Sequence, residues 1–377
     1  MNLTSDLEVQ EQTILAEYAT KSFQSLGRKI SEDKHPYRTE FQRDRDRIIY
    51  CAAFRRLEEK TQVFYDLNTN YFRTRLTHTL EVAQTARVVC VALGLNADLA
   101  EAIACAHDIG HPPFGHQGEE LLNKLVCETD DCSDPACVGF EHNLQSLRIV
   151  DFIEDKYPAF AGLNLTFEVL RGIAKHKEHF PGECAKYDDV FAVPKSLEAI
   201  VVDKSDRISY LAHDLEDALF AGYIGMKLVK KQPLMQLVMQ TTGVEYCKLT
   251  QDKCIYMLVR DFKNFVVSAF VKECAKRLAS WDNSKEAHEF IDYPDEIGAL
   301  LEEFYSFLYT YFYEEQAFKQ IVRENAKVLK EVFNYYMKNP QMLPPDKHNL
   351  SKTRRVCDFI ALHTDRTILA KHKSLMS

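Results

Sequence analysis

Apolar residues recur at helical spacing along most of the chain. Val82, Ala86, Val89 and Leu93 fall three or four positions apart, and Gly94 supplies a stop. After Asn96 a second run passes through Leu99, Ile103 and Ala106 and is expected to end near Gly110. Pro112 and Pro113 bar its continuation, and a further helix can restart near Gln117. Leu197–Leu219 and much of 255–340 carry the same periodicity. Strand character is confined to one place. Thr61–Tyr65 alternates, Tyr71–Arg73 is placed to pair with it, and Asp66–Asn70 makes the turn. Gly182–Pro194 and Asn339–Asp346 read as loops, and no internal repeat or low-complexity tract interrupts the pattern.

Composition narrows the class without naming a function. A chain of 377 residues is long enough for one large core or two smaller ones. Hydrophobic residues make up 46% and charged residues 27%, the balance of a globular protein rather than a disordered one. The N-terminal stretch is acidic and polar, without a basic segment followed by an apolar run, so no secretory signal is visible. Apolar stretches such as Val88–Leu95 fall far short of the ~20 residues needed to span a bilayer. Eleven cysteines are many, but most sit singly in apolar helical patterns, as Cys90, Cys105 and Cys274 do. Reduced thiols in a cytoplasmic protein are the simpler expectation. Cys127, Cys132 and Cys137 lie five residues apart and lack the paired C-x2-C knuckles of a structural zinc site. The net charge of −9 argues against broad nucleic-acid binding, and any polyanionic substrate would need cations placed locally.

Chemistry concentrates around His107-Asp108, followed by Gly110-His111-Pro-Pro-Phe-Gly-His116-Gln-Gly-Glu119, with Arg73-Thr-Arg-Leu-Thr-His78 upstream. Imidazoles and a carboxylate at the end of an otherwise apolar helix are costly unless something pairs with them. A divalent cation is the most economical partner, because neutral imidazole and carboxylate oxygen suit Mn, Fe, Zn or Ni, and Mg less well. His78 joins this set by its type and setting. The fourth ligand stays open among Asp203, Asp206, Asp214 and Asp217, which share helical spacing.

Seven ordered motifs then make a specific resemblance. They are Asp44-Arg-Asp-Arg-Ile48, Phe54-Arg-Arg-Leu57, Lys60-Thr-Gln-Val-Phe64, Arg73 to His78, Ala106 to Glu119, Phe140-Glu-His-Asn143, and Asp206-Arg-Ile-Ser-Tyr-Leu-Ala-His-Asp214. Together they resemble the deoxyguanosinetriphosphate triphosphohydrolase family of the HD-domain superfamily, over about 28–220, with a weaker echo at Asp358–Arg366. The resemblance implies an all-α fold: an HD helical core over 28–225 within one mainly helical unit spanning 1–377, and a helical region at 245–377 for packing or oligomerisation. One small β-hairpin is the only strand expected.

The resemblance also implies a divalent metal held by His78, His107, Asp108 and Asp206, and cleavage of a deoxynucleoside triphosphate at the α-phosphorus. His116 with Glu119, at i and i+3, is the expected general-acid pair, the carboxylate orienting the ring and stabilising its protonated form. His111 and His142 are expected at the phosphates or at waters of a second metal. Arg75 and Arg207 are the foremost triphosphate cations, with Lys175 and Arg56 behind them. Gln62 and Asp214 are expected at the 3′-hydroxyl and Tyr210 against the sugar face. Arg43, Arg45 and Arg47 alternate with Asp44 and Asp46, which suits a structural ion-pair network better than a phosphate site. A homo-oligomer is expected, a hexamer foremost, with room for an activating nucleotide.

Two features depart from the family pattern. Leu362-His363 stands where the family usually has Gly-Met, and 127–138 looks like a variable insertion. Rival readings are an HD phosphohydrolase of a monophosphate or signalling nucleotide, and a catalytically silent nucleotide-binding module. The long His111–Glu119 and Lys60–Phe64 motifs weigh against the first, and the intact His116–Glu119 pair against the second.

Overall fold

The computed structural model describes residues 3–62, 72–129, 139–175, 187–244, 250–282, 287–313, 316–346 and 350–376. The chain is helical almost throughout: α1 Leu3–Ile14, α2 Glu40–Ile49, α3 Ala52–Arg56, α4 Arg75–Ala92, α5 Ala97–Ala106, α6 Gly115–Cys127, α7 His142–Arg148, α8 Phe167–Ile173 and α9 Asp188–Phe191. There follow α10 Leu197–Phe220, α11 Met226–Val229, α12 Pro233–Thr242, α13 Gln251–Leu278, α14 Ala287–Phe290, α15 Asp295–Leu308, α16 Gln316–Lys338, α17 Lys352–Ala361 and α18 Asp365–Met376. No described helix is long and apolar enough to cross a membrane.

Several helices begin where a side-chain oxygen satisfies free backbone N–H groups. Thr39 and Gln42 form a reciprocal capping box at α2, Thr74 caps α4, and Asn96 accepts from Asp98 N and Leu99 N at 3.1 and 3.2 Å to start α5. Gly94 ends the α4 turn at φ +69, a conformation that costs glycine little.

Two hydrophobic clusters follow from which faces these helices bury. The larger joins α4, α5, α8 and α10 through Val82, Val89, Ile103, Leu170 and Leu211, and extends into α13 and α15 through Phe262 and Phe304. The smaller packs α6 against α16, α17 and α18 through Leu122, Leu329, Val332, Ile360 and Ile368, with Phe114 at its edge. The segment running from His107 to His116 therefore lies between two cores.

Several sequence expectations meet the structure here. Among the described residues the β pairings are three isolated bridges, and one of them joins Thr61 to Thr74. The expected hairpin turn and the strand residues 63–71 lie outside the described residues. The expected loop over 182–194 is interrupted by α9, whose first turn carries Asp188 and Asp189 at the favourable end of the helix dipole. Residues 182–186 of it lie outside the described residues, as do Cys132 and Cys137. Cys127 is exposed, whereas Cys51, Cys90, Cys105, Cys254, Cys274 and Cys357 are buried free thiols. Burial pushes the Cys51 and Cys105 thiols up to about 12, so they behave as small apolar groups.

The Arg43–Arg47 segment is a structural network. Arg45 reaches Asp98 and Glu101 at 2.9 and 3.1 Å, and Arg43 and Arg47 share Glu32 at 2.7 and 2.8 Å. Asp44 pairs with Arg28, and Asp46 with Arg38 at 2.9 Å.

Candidate metal and catalytic site

Three helices in mutual contact, α4, α5 and α10, bring the site together. His78 sits one turn into α4, where its N–H bonds to Thr74 O at 3.1 Å. His107 and Asp108 follow the last turn of α5, and Asp206 lies within α10. His78 Nε2 is 3.1 Å from Asp206 Oδ1 and 3.7 Å from Asp108 Oδ2. His107 Nε2 is 3.3 Å from Asp108 Oδ1 and 3.8 Å from Asp206 Oδ1.

The donor set itself tests whether a cation fits. His107 Nδ1 lies 2.7 Å from Ala104 O, and a carbonyl only accepts, so Nδ1 carries the proton in the neutral ring. The lone pair on Nε2 then faces two carboxylates, and this atom is buried with no hydrogen-bond partner among the described residues. Such a convergence of acceptors is costly without a positive centre. His78, His107 and Asp108 each offer a ligand atom within 4.8 Å of the others. The residues present fit a divalent cation of the kind that imidazole and carboxylate bind.

Cationic side chains surround the set. Arg75, fully buried, donates from Nη1 to Asp108 Oδ2 at 2.7 Å, while its Nε and Nη2 have no hydrogen-bond partner among the described residues. Lys175 Nζ is 3.2 Å from Asp206 Oδ2. Burial opposes ionisation of both aspartates, yet His107 and Arg75 hold Asp108, and Lys175 and His78 hold Asp206, well below the usual carboxylate range. Burial likewise disfavours the Lys175 cation, but Asp206 and Asp203 raise its pKa.

A second group adjoins the first. His111, His116, Glu119 and His142 also converge within 4.8 Å. Glu119 is the hub: Oε1 accepts from His142 Nδ1 and His142 N, both at 2.8 Å, and Oε2 lies 3.2 Å from His116 Nδ1 and 3.7 Å from His111 Nδ1. The His111 and His142 rings stack with centroids 3.9 Å apart. Burial opposes the Glu119 charge, but His142 foremost and then His116 bring its pKa far down. The converse holds at His142, where Glu119 outweighs burial and raises the imidazole. Burial first, then Arg75, pushes His111 well below the usual histidine value. The two groups meet where His111 Nε2 lies 3.3 Å from Asp108 Oδ1. Close packing permits this: a Cβ on Gly110 would stand 2.2 Å from both His142 O and Ser146 N, so only glycine lets α7 carry His142 this near.

Known proteins resemble this chain over most of its length. The HD domain model matches residues 75–211, and the phosphohydrolase-associated domain model matches 291–374. Deoxyguanosinetriphosphate triphosphohydrolase-like proteins are similar over nearly the whole chain. That of Syntrophus aciditrophicus is 40% identical, covering 96% of this chain and 94% of the relative. That of Geobacter metallireducens is 37% identical, covering 97% and 96%. The chain belongs to the deoxyguanosinetriphosphate triphosphohydrolase-like family. The relative in Leptospira interrogans, at 36% identity and 98% of each chain, extends the same likeness. Among solved structures, a hypothetical protein of Aquifex aeolicus is similar over 89% of this chain and 95% of that one, at 16% identity and a TM-score of 0.29. That likeness is too weak to bear on function.

Membership in this HD-domain family makes the chain a phosphohydrolase, and HD domains are metal-dependent. The family's expected site residues divide by position. His78, His107, Asp108 and Asp206 come together, as do His111, His116, Glu119 and His142, with Arg75 and Lys175 against the first set. Gln62 is buried, and its Oε1 has no hydrogen-bond partner among the described residues. Farther along α10, Arg207 is tied to Glu302 at 2.7 Å, and the half-buried Tyr210 packs edge-on to Tyr305 with centroids 6.1 Å apart. Asp214, buried, lies 2.8 Å from His213 Nδ1.

Sequence reasoning overlooked His213. Its Nε2 is 2.8 Å from His78 Nδ1, so it orients this candidate ligand through the ring nitrogen opposite the one that faces Asp206. A histidine beside Asp214 in an apolar helix was the available signal. Lys60 was also overlooked as a structural group, and it donates to His111 O and, at 2.8 Å, to Ala361 O.

Proposed function

We propose that this protein is a metal-dependent triphosphohydrolase that converts a deoxynucleoside triphosphate to deoxynucleoside and inorganic triphosphate. The observation that carries the reading is the junction at Asp108, where a His/Asp set suited to a cation abuts an imidazole–carboxylate pair suited to proton transfer. The names of the relatives favour dGTP or dNTPs generally as substrate.

His78, His107, Asp108 and Asp206 are the residues that would hold the metal, with Mn, Mg, Fe, Ni and Zn as candidates. A divalent cation, when bound, polarises the phosphoryl group and acidifies water near neutral pH. The other steps belong to the chain. His116 has its side chain 69% exposed and its Nδ1 against Glu119, leaving Nε2 to meet the substrate. A water oxygen bonds to the α-phosphorus and gives up its proton to solvent as the bond from that phosphorus to the 5′-oxygen breaks. Nε2 gives its proton to the departing 5′-oxygen, and Glu119 stabilises the imidazolium beforehand. His111 and His142 line the adjoining face as phosphate contacts. Arg75, Lys175 and Arg207 counter the roughly four negative charges of a triphosphate against the protein's net −9. Gln62 and Asp214 bond the 3′-hydroxyl, and Tyr210 covers the sugar face where a 2′-hydroxyl would project.

Residues 28–225 act as the catalytic core and 245–377 as a packing or oligomerisation region of one helical unit. The assembly is a homo-oligomer, with a hexamer as the leading form, in the cytoplasm and open to a nucleotide effector. The test is to incubate metal-loaded protein with each dNTP, with and without a second dNTP, and to resolve the products. Triphosphate with nucleoside is expected. Orthophosphate release points to another HD phosphatase activity, and binding without turnover to a silent module; either overturns the proposal.

A further inference from the structure

We infer that Asp365 is a positioning residue for the active site, through which the C-terminal helices hold the segments bearing Gln62 and His116 in register. The inference rests on the reading of His116 and Glu119 as the acid pair.

Asp365 opens α18 and is wholly buried. Its Oδ2 accepts the Thr61 N–H and its Oδ1 the Phe114 N–H, both at 2.8 Å. These are the residue before Gln62 and the residue two before His116. One carboxylate, distant from both in sequence, thus clasps the two segments from opposite oxygens.

The second of these segments needs an external hold. Phe114 stands at the N-cap of α6 with φ +65 and ψ 23, and its side chain makes no capping bond. A left-handed conformation is unfavourable for a residue with a Cβ, so surrounding structure must impose it. Gly115 follows at φ +62, and a Cβ there would stand 2.9 Å from Arg75 Nη2 and 3.3 Å from Gln62 O. Two successive left-handed residues turn the chain sharply, so that α6 starts with His116 beside Glu119 while Arg75 and Gln62 close in from the other side. The hold comes from the C-terminal helices. Asp365 fixes the Phe114 amide, the buried Phe114 belongs to the same hydrophobic cluster as Leu329, Val332 and Ile360 of the C-terminal helices, and Lys60 ties His111 O to Ala361 O at the end of α17. Charge-assisted bonds from backbone N–H to a buried carboxylate are among the stronger contacts available for such a hold.

An ordinary structural staple would join the C-terminal helices to the core without touching the catalytic segments. The interface contains such a staple: Glu59 bonds Thr364 Oγ1 at 3.1 Å and pairs with Arg366 at 2.5 Å, toward solvent. Glu59→Gln is therefore the control. It should leave kcat within about twofold of the parent.

The test is Asp365→Asn, which keeps the side chain's shape but sets an amide N–H against one of the two backbone donors. The expected result is a kcat at least tenfold lower, with KM for the dNTP changed less than threefold and metal content per chain unchanged. In the same variant, hydrogen exchange at the amides of 114–116 should quicken at least tenfold while that of α4 and α10 stays as in the parent. Unchanged kcat, or a loss that follows metal content or the folded fraction, overturns the inference. If the variant does not fold, exchange in the parent protein decides: a Phe114 amide exchanging as freely as a solvent-exposed loop overturns it, and strong protection sustains it. Should the parent turn over no dNTP, the functional reading fails separately, and the exchange comparison alone judges the role of Asp365.

Discussion

Replacing Glu119 with glutamine removes one charge from the point where three imidazoles meet, and its consequence can be worked from the geometry. The carboxylate takes the His142 N–H and Nδ1 at 2.8 Å each and His116 Nδ1 at 3.2 Å. Glutamine offers one oxygen and one NH2. If the oxygen stays with His142, the NH2 faces His116 Nδ1, which must then accept rather than donate. A hydrogen bond to a charged group contributes about 1.5–3 kcal/mol. At 1.36 kcal/mol per tenfold in rate, losing that stabilisation of the His116 imidazolium predicts a kcat about 10- to 100-fold lower. Metal content should be unchanged, because Glu119 is not in the His78–Asp206 set. The assay is triphosphate release under saturating dNTP, with metal per chain measured on the same sample.

The same substitution has a pH signature. His142 has a raised pKa, so its stabilising contribution is complete below the unfolded imidazole value of about 6.5 and is lost as pH rises through the folded value. Glu119 has a lowered pKa, so its contribution is present above the unfolded carboxylate value and is lost only in strong acid. The parent should therefore be more stable than Glu119→Gln near pH ~6, and the difference should narrow as pH rises above it. A variant with parental kcat, or one that loses metal in step with activity, would refute the assignment of Glu119 to the acid pair.

Other outcomes follow from the same geometry. His116→Ala should keep its metal and lose turnover by about 10²–10⁴-fold, whereas Asp206→Ala should lose the metal; metal analysis with the product assay separates them. Gly110→Ala drives a Cβ into two backbone atoms at 2.2 Å, so destabilisation should reach or exceed the ~1–3 kcal/mol of ordinary overpacking, and a shift under about 0.5 kcal/mol in urea unfolding would contradict the packing described. Burial pushes Lys60 down to about 7 against the pull of Asp365, so between about pH 7 and 10 the unfolded chain binds more protons there than the folded one. Parental stability should rise across that window relative to Lys60→Met, as read from urea midpoints at about pH 7 and about pH 9.5.

Helix placement was legible in the chain because local signals and long-range packing agree. Asn96, Gly94 and the 3.6-residue recurrence of Val82, Ala86 and Val89 mark the ends and buried faces of α4 and α5, and the structure buries those faces. His107-Asp108 was legible as a candidate cation site for a related reason: a cluster of imidazole and carboxylate at the end of an apolar helix has no inexpensive solution without a positive partner. Asp206 was not legible from spacing, since Asp203, Asp214 and Asp217 lie on the same helix. Tertiary structure decides which of them faces His78, through the rotation and crossing of α10 against α4. His213 behind His78 and Asp365 behind Phe114 were hidden for the same reason. Each acts through a contact closed over a long stretch of chain, 135 residues for His213 and 251 for Asp365. Periodicity reports which face of a helix is buried; only the packed structure says what lies opposite it.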